Sequence, residues 1–288
     1  MKCWLLTLLC LPLLAQAELS VVDSSGRRVT LEHPAQRIVS LAPHLTELLF
    51  AAGAGARVVG VVSYSDWPPP ARQIAQVGGY SALDLERILA LQPDLIVAWE
   101  SGNNPAQLER LEQLGLTVFR HAPRTPDDIP RMLEQLGLLA ATDAAAQIAA
   151  QDFRARLQGL RERNAQAAPL TVFYQVWHQP LMTVNGAHLI SAAIELCGGR
   201  NVFAALPALA PQISVEAVLA ADPQVIVASG MAEQRPDWLD DWKRWPQLAA
   251  VRHDNLYFVP PDLLQRAGPR FIDGAERLCA ALAEARRR

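Results

Sequence analysis

Five aromatic side chains lie in short segments that could form one ligand site: Tyr64, Trp67, Tyr80, Trp99 and Trp177. Four of them follow a stretch that we predict to be a β-strand, and Tyr80 lies shortly before a predicted helix. In open α/β sheets, loops at the carboxyl ends of the strands line the ligand crevice. Several large flat side chains there favour a large, flat, partly apolar ligand. The alternative is that individual aromatic residues close the edges of the sheets.

Motifs for catalysis are missing from the sequence. Residues 53–58 begin like a dinucleotide-binding loop, but Val58 occupies the last glycine position and the segment follows a predicted helix. There is no GxxxxGK[ST] phosphate-binding loop and no GxSxG nucleophile motif. The six histidines are scattered, and His44 and His178 come just after predicted strands. We therefore expect a binding protein, without catalytic residues and without a resident metal.

The net charge bears on the type of partner, and the first residues of the chain indicate the compartment. A net charge of −3 and a pI of about 6.1 argue against a nucleic-acid partner. Residues 1–17 combine Lys2, an apolar stretch and a final Ala15-Gln16-Ala17, which is the pattern of a cleaved signal peptide. Lipidation at Cys10 is disfavoured because leucines precede it. No later stretch reaches about 18 apolar residues, so we expect a secreted protein without a membrane anchor.

Two cysteines follow the signal peptide, Cys197 and Cys279. In an oxidising compartment an even pair favours a disulfide, here one that closes a long loop. The alternative is two buried free thiols. A metal site is disfavoured because no CxxC or HExxH pattern accompanies the pair.

The chain contains one internal repeat. Residues 84–97 and 214–227 align without gaps and are identical at six of fourteen positions. Each copy predicts a capped helix, a turn at a proline and a buried parallel strand, with Asp84 and Ser214 as N-caps. One copy in each half of the chain predicts two similar α/β lobes.

A long helix is predicted between the two halves, over residues 142–167. One of its faces is apolar and the other charged, and the apolar positions are Ile148, Phe153, Leu157 and Leu160. At about 1.5 Å per residue the helix would be roughly 35 Å long, enough to brace two lobes. We therefore expect an N-terminal α/β lobe over 18–140, a connecting helix over 141–167 and a C-terminal α/β lobe over 168–288. The alternative is an ordinary helix within one domain.

The chain resembles the periplasmic substrate-binding proteins of metal-chelate ABC importers over nearly all of residues 37–285. The segments that carry the resemblance are RIVSLAPHLTELLFAAG, VGVVSYSDWPP, LERILALQPDLIVAW, LCGGRNVF and QRAGPR. Within the family, SYSDWPP and LIVAW favour the branch that binds cobalamin (vitamin B12). The resemblance implies a class III periplasmic binding protein fold, in which two Rossmann-like α/β lobes are joined by a single rigid helix and hold the ligand between them.

The resemblance also implies positions for the ligand site. Tyr64 matches a tyrosine that contacts the corrin ring, Trp99 matches a tryptophan of the cleft, and Tyr80 stands where the family has a tryptophan. Further expected ligand contacts are Trp67, Trp177, Asp262, Leu263, Leu264, Gln265 and Arg266. The chain departs from the family at Leu263 and Leu264, which replace aromatic residues, and at Ala210, which replaces a tryptophan. Cys197 and Cys279 match the family disulfide.

Glu86 and Glu216 match two glutamates, one in each lobe, that dock such proteins onto arginines of the membrane permease. The sequence supports this independently, because the two residues occupy the same position of the internal repeat. Two separated charges would orient the protein on a two-fold partner. The alternative is that both glutamates only stabilise the helix N-termini on which they lie.

The resemblance implies a monomeric periplasmic protein that captures cobalamin in the interlobe cleft and delivers it to an ABC transporter permease with its ATPase. Cobalamin would then be the transported ligand and not a cofactor, and we do not expect His44 or His178 to coordinate its cobalt. One alternative is a haem-binding or ferric-siderophore-binding protein of the same fold. Haem would favour a tyrosine or histidine ligand, and siderophores would favour clustered arginines. A secreted α/β enzyme would need a nucleophile and a base in the cleft.

Overall fold

Two parallel β-sheets form the frame of the computed structural model, which describes residues 18–230 and 234–288. In chain order the strands are β1 (Leu19–Val22), β2 (Arg28–Leu31), β3 (Ile38–Ser40), β4 (Val58–Val61), β5 (Ala75–Gln76), β6 (Gly78–Gly79), β7 (Ala82–Leu83), β8 (Leu95–Trp99), β9 (Val118–His121), β10 (Leu170–Gln175), β11 (Gly199–Asn201), β12 (Val225–Ala228) and β13 (Leu256–Phe258). The first sheet has the order β5-β4-β3-β8-β9 and the second β11-β10-β12-β13, all parallel. The hairpins β1-β2 and β6-β7 are antiparallel. The predicted α/β class with parallel sheets is confirmed.

Helices connect the strands, as parallel sheets require. They are α1 (Pro43–Ala51), α2 (Leu85–Ala90), α3 (Pro105–Gln113), α4 (Asp128–Ala140), α5 (Asp143–Asn164), α6 (Leu189–Leu196), α7 (Val215–Ala221), α8 (Ala249–Arg252), α9 (Pro261–Leu264) and α10 (Phe271–Ala285). Short 3₁₀ helices cover Gly55–Arg57, Pro69–Gln73 and Asp237–Arg244. Over 18–230 and 234–288, no helix combines the length and the apolar character that a membrane crossing requires. The predicted signal peptide, 1–17, lies outside the described residues.

Strands β8 and β12, the strands of the internal repeat, are apolar along their whole length because both of their faces are covered. In β12, Val225 and Val227 face a core shared by both halves of the chain, whereas Ile226 and Ala228 face a separate core of the second half. The alternation in β8 is equivalent, with Val97 on the shared side. Each fully buried aliphatic side chain contributes about 1.5–3 kcal/mol. This two-sided burial keeps β8 and β12 apolar, whereas the buried polar residues Ser40 and Gln175 stand at the carboxyl ends of β3 and β10.

The internal repeat is present in three dimensions. Asp84 accepts a hydrogen bond from the backbone N–H of Arg87, and Ser214 accepts one from that of Ala217, so both predicted N-caps are confirmed. Gln92 and Asp222, which occupy the same repeat position, both adopt positive φ, 47° and 38°, where the helix turns back into the strand. The two repeats thus share their turn geometry as well as their sequence.

Helix α5 runs between the two sheets in sequence and lies within the predicted range. Its buried face consists of Ala146, Ala150, Phe153, Leu157 and Leu160. The assignment of Ile148 to this face was wrong, since its side chain is 70% exposed. At 100° per residue, Ile148 lies on the side opposite Leu157.

Helix α5 contacts helices from both halves of the chain. Arg154 binds Glu134 of α4 at 2.5 Å, and Arg156 binds Asp273 and Glu276 of α10 at 2.5 and 2.7 Å. Such partly exposed pairs contribute little individually, so the apolar face of the helix provides most of the attachment. We propose that 18–140 and 168–288 are two lobes braced by this helix.

A disulfide joins Cys197, just after α6, to Cys279 in α10. The bond closes a loop with a sequence separation of 82 residues. Constraining so long a loop in the unfolded chain stabilises the native state by about 4–5 kcal/mol in the chain-entropy treatment. The disulfide expected from the cysteine pair is confirmed.

We expect the double variant Cys197→Ala/Cys279→Ala to unfold at a lower urea concentration. The loss of unfolding free energy should be about 2–5 kcal/mol, because the unfolded chain regains the freedom of the loop. Urea titrations with and without a reductant measure it. The reductant should lower the midpoint of the wild-type protein and leave that of the variant unchanged. A variant midpoint equal to that of the wild type without reductant would contradict the expectation.

Candidate functional site

A cavity of about 440 Å³ lies between loops that follow the strands of both sheets. Half of its wall comes from each half of the chain, and the lining residues are His44, Trp99, Glu100, Ser101, Ala122, Pro123, Arg124, Ala187, His188, Leu189, Leu209, Leu264, Gln265 and Ala267. The volume is within the range of small-molecule sites, about 300–1,000 Å³. Mostly apolar walls with a few polar groups suit a large organic ligand.

Trp99 is the aromatic side chain of this wall, and the local sequence fixes its ring. The ring packs edge-to-face on His44, with centroids 5.3 Å apart, and lies 5.9 Å from the ring of Tyr80. A Cβ on Gly102 would approach the indole to 2.0 Å, so only glycine fits beneath it. Asn103 accepts a hydrogen bond from the backbone N–H of Trp99 and donates to the carbonyls of Leu41 and Tyr80. The loop after β8 therefore presents a rigid indole.

The other predicted aromatic residues lie outside the cavity wall. Tyr80 supports Trp99 from one side and is 43% exposed. Tyr64 is 75% exposed and adopts a φ of 67°, a strained conformation for a residue with a side chain. Trp67 lies beneath the guanidinium of Arg270, 4.7 Å from its ring centroid. Trp177 is also partly exposed, and its indole N–H donates to the carbonyl of Gln179.

Arg266 is engaged by the protein itself. Its Nη1 lies 2.8 Å from a carboxylate oxygen of Asp66 and 3.2 Å from one of Glu47. Its Nη2 donates to the Tyr64 carbonyl at 3.2 Å and pairs with Asp262 at 3.1 Å. Three hydrogen bonds and the ion pair with Asp262 thus occupy most of the guanidinium, which leaves little of it for a ligand. Asp262 and Arg266 were both expected to contact the ligand, and in the structure they form an ion pair with each other.

The remaining residues of that loop divide between core and cavity. Leu264 and Gln265 line the cavity, whereas Leu263 belongs to the buried core. The Gln265 amide donates to the Ser229 hydroxyl at 2.8 Å, which fixes its orientation beside the cavity. Gly274 allows the close approach of α10, because a Cβ there would lie 2.7 Å from the carbonyl oxygen of Leu263.

Three histidines in and beside the wall are kept neutral. Burial lowers the pKa of His44 to about 3, helped by the nearby His121 and Arg266. Burial also lowers the pKa of His121 to about 4, although the charge of Asp128 opposes the shift. His188 is the N-cap of α6, accepts a hydrogen bond from the backbone N–H of Ile190, and has a pKa lowered by burial to about 4. His44 and His188 therefore offer the cavity uncharged surfaces near neutral pH.

Several lining residues were not among the predicted site residues. His188 and Leu209 come from segments without a distinctive pattern, and Arg124 follows β9 without an aromatic neighbour. Glu100 and Ser101 belong to the predicted loop after Trp99, so their position after a strand was the available signal. Among the described residues, Arg124 is the only arginine that lines the cavity.

His178 lies at a second, smaller cavity of about 210 Å³ in the second half of the chain. Its ring stacks on Trp238 with centroids 5.0 Å apart and planes 10° apart. Its Nε2 is 3.8 Å from a carboxylate oxygen of Asp241. His178 therefore belongs to a tryptophan-rich cluster and not to the wall of the main cavity.

Glu86 and Glu216 are both exposed and are both the second residue of their helix, α2 and α7. Hydrogen bonds from its own backbone N–H and from the Ser214 hydroxyl lower the pKa of Glu216, so this carboxylate stays charged. Helices α2 and α7 precede β8 and β12, so their N-termini lie at the edge of each sheet that the cavity loops also occupy. Each sheet therefore has one glutamate, in the same local geometry, beside the edge that carries the cavity loops.

Comparison with known proteins is consistent with this geometry. Residues 38–263 match the family model described as periplasmic binding protein. The Vitamin B12-binding protein of Vibrio cholerae serotype O1 is 41% identical over 250 residues, which are 86% of this chain and 90% of that protein. The crystal structure of the periplasmic vitamin B12 binding protein of Vibrio cholerae superposes with a TM-score of 0.83 at 40% identity and covers 88% of this chain and 99% of that one. A periplasmic heme binding protein from Pseudomonas aeruginosa has a TM-score of 0.73 at 27% identity, over 86% of this chain and 92% of that one.

Proposed function

The chain belongs to the periplasmic binding protein family, and from this premise we propose that it captures cobalamin in the cavity and delivers it to an ABC transporter permease. The observation that carries the proposal is the cavity of about 440 Å³, whose wall is contributed by both halves of the chain and contains the fixed indole of Trp99. A macrocycle can rest its flat face against such a ring. The similarity to vitamin B12-binding proteins along most of the chain supports the choice of ligand.

The polar groups of the wall suit the periphery of a corrinoid, which carries amide side chains and one phosphodiester. Ser101, Glu100 and Gln265 can exchange hydrogen bonds with amides, since together they offer donors and acceptors. Arg124 is the cation best placed for the phosphodiester. We assign Tyr64, Trp67, Tyr80 and Trp177 to the outer rim of the site, and Asp262 and Arg266 to its support.

Delivery would use Glu86 and Glu216 as the charged contacts to the permease. Their equivalent positions on the two repeats support this role, because two like charges at separated points define one orientation on a two-fold partner. Residues 1–17 would direct the protein to the periplasm and be removed there. Binding and release make and break no covalent bond, so the proposed function requires no catalytic residue.

Haem binding is the second candidate, and it has one specific observation in its favour. His44 and His188 both line the cavity and are neutral, as a metal ligand must be. Two observations argue against it. The Nε2 atom of His44 is buried, so it is not exposed to a ligand in the cavity. Nδ1 of His188 is already occupied, because it caps α6. A ferric siderophore is less well matched, because Arg124 stands alone in the described wall.

Calorimetric titration of the purified protein with cyanocobalamin, haemin and a ferric siderophore tests the proposal. We expect cyanocobalamin to bind with a dissociation constant below about 1 µM and the other two to bind at least ten-fold more weakly. Sub-micromolar binding of haemin with none of cyanocobalamin would replace the proposal by the second candidate.

We expect Trp99→Ala to weaken cyanocobalamin binding by about 10- to 100-fold. Buried aromatic anchors at binding sites typically contribute about 2 kcal/mol or more, and 1.4 kcal/mol corresponds to a factor of ten. Trp245→Ala is the matched control, since this tryptophan lies beside the second cavity. Titration of both variants measures the difference. Equal affinities for the Trp99 variant and the wild type would contradict the assignment of the cavity.

A further inference from the structure

We propose that Glu47 is a positioning residue for the ligand site, because it holds the two arginines that fix the loop carrying Tyr64 and Trp67 at the rim of the cleft. The inference rests on the proposed function and extends it to a residue of α1 that does not line the cavity. It starts from the contacts of one buried carboxylate.

The Glu47 carboxylate is almost completely buried, with 2% of its side chain exposed. Arg270 binds it in a bidentate manner, with Nε 2.8 Å from Oε2 and Nη2 2.7 Å from Oε1. Arg266 adds a third hydrogen bond at 3.2 Å. A buried carboxylate requires such partners, because its desolvation is otherwise unfavourable. Glu47 therefore specifies where both guanidinium groups lie.

Both arginines continue to the loop after β4. Arg266 binds the Tyr64 carbonyl and the Asp66 carboxylate, and Arg270 lies over the face of Trp67. Burial raises the pKa of Asp66, but the hydrogen bond and the charge of Arg266 outweigh this and hold that pKa below its usual value. The loop is thus attached to the second half of the chain through Arg266 and Arg270, which Glu47 holds, and not only through its own backbone.

The conformation of Tyr64 indicates why the loop needs this support. Its φ of 67° lies in the left-handed region, which a tyrosine adopts only where its surroundings impose it. The hydrogen bond from Arg266 to its carbonyl is such a constraint, and Tyr64 is left 75% exposed. Fixing the backbone that carries an aromatic side chain before the ligand arrives reduces the entropy lost on binding.

The test compares Glu47→Gln with Glu134→Gln, a matched change at a glutamate that is also paired with an arginine but lies between α4 and α5. We expect Glu47→Gln to weaken cyanocobalamin binding on the order of ten-fold and Glu134→Gln to change it less than about two-fold. Asp66→Asn changes a side chain that is 46% exposed, so this variant should keep its fold. Its affinity for cyanocobalamin should fall about three-fold. Unchanged affinity in both Glu47→Gln and Asp66→Asn would overturn the inference.

A double-mutant cycle separates positioning from a general structural effect. In a Tyr64→Ala background, Glu47→Gln should cost less than about half of its effect in the wild type, since the ring it positions is gone. An undiminished effect would assign Glu47 to general stability and overturn the inference. Hydrogen exchange of residues 63–67 in the ligand-free protein is an independent readout and should accelerate in Glu47→Gln. It stays informative even if the wild type binds no cobalamin, an outcome that would refute the proposed function alone.

Discussion

The double variant Glu86→Ala/Glu216→Ala is expected to lose transport while it keeps its affinity for cobalamin. Neither glutamate lines the cavity, so ligand binding should be unaffected. Docking should weaken strongly, because removing both charges takes away complementary contacts at two points of the interface and leaves the partner charges without their counterparts. We expect cobalamin uptake to fall by at least ten-fold, and each single variant to lie between the wild type and the double variant.

Uptake of labelled cobalamin by cells that depend on this protein measures the effect, together with calorimetry on the purified variants. Glu109→Ala/Glu195→Ala is the matched control, with one exposed glutamate changed in each half of the chain. The control should transport like the wild type. Unchanged uptake in Glu86→Ala/Glu216→Ala would refute the docking role, and a parallel loss of ligand affinity would assign these residues to the ligand site instead.

Acidification is expected to destabilise the protein through its three neutral histidines. In the unfolded chain histidine has a pKa of about 6.5, whereas burial lowers the folded pKa to about 3 for His44 and about 4 for His121 and His188. Between these values the unfolded state binds more protons, so the unfolding free energy decreases as the pH falls. The stability is fully present above pH 6.5 and is lost progressively below it. At pH 5, this linkage lowers the unfolding free energy by about 2 kcal/mol for each of the three histidines.

Urea titrations at pH 7 and pH 5 measure this loss, which should shrink in His44→Gln because one of the three groups is removed. His253→Gln is the control, since its side chain is exposed. For His188, protonation of Nδ1 would also break the N-cap of α6, so a loss of helix content should accompany unfolding at acid pH. A midpoint that does not move between pH 7 and pH 5 would contradict the account of the buried histidines.

Much of the fold could be predicted because its signals are local. The helix and strand of each repeat follow from their caps, their proline and their β-branched runs, and Asp84 and Ser214 cap their helices as the sequence indicates. The disulfide follows from two cysteines in an oxidising compartment. Ile148 was misplaced because three apolar residues farther along the helix were taken to share its face, although the 100° step puts Ile148 on the opposite side.

The site was harder to predict because its decisive contacts join residues that are distant in sequence. Glu47 and Arg266 are 219 positions apart, and no local pattern predicts that they pair. As long as that pairing is unknown, the sequence indicates that Arg266 is a cation free to bind the ligand. His188 and Leu209 enter the wall only because the second half of the chain packs opposite the first. In contrast, Trp99 could be placed from its position directly at the end of a buried strand.

The position of cobalt in a crystal of the cyanocobalamin complex tests the central claim most directly. Anomalous scattering at the cobalt edge locates the metal independently of any assumption about the ligand's pose. We predict one strong peak in the cavity, between the Trp99 side of the wall and the side formed by His188 and Leu264. A peak at the second cavity beside Trp238, or no peak in crystals grown at saturating cyanocobalamin, would contradict the account.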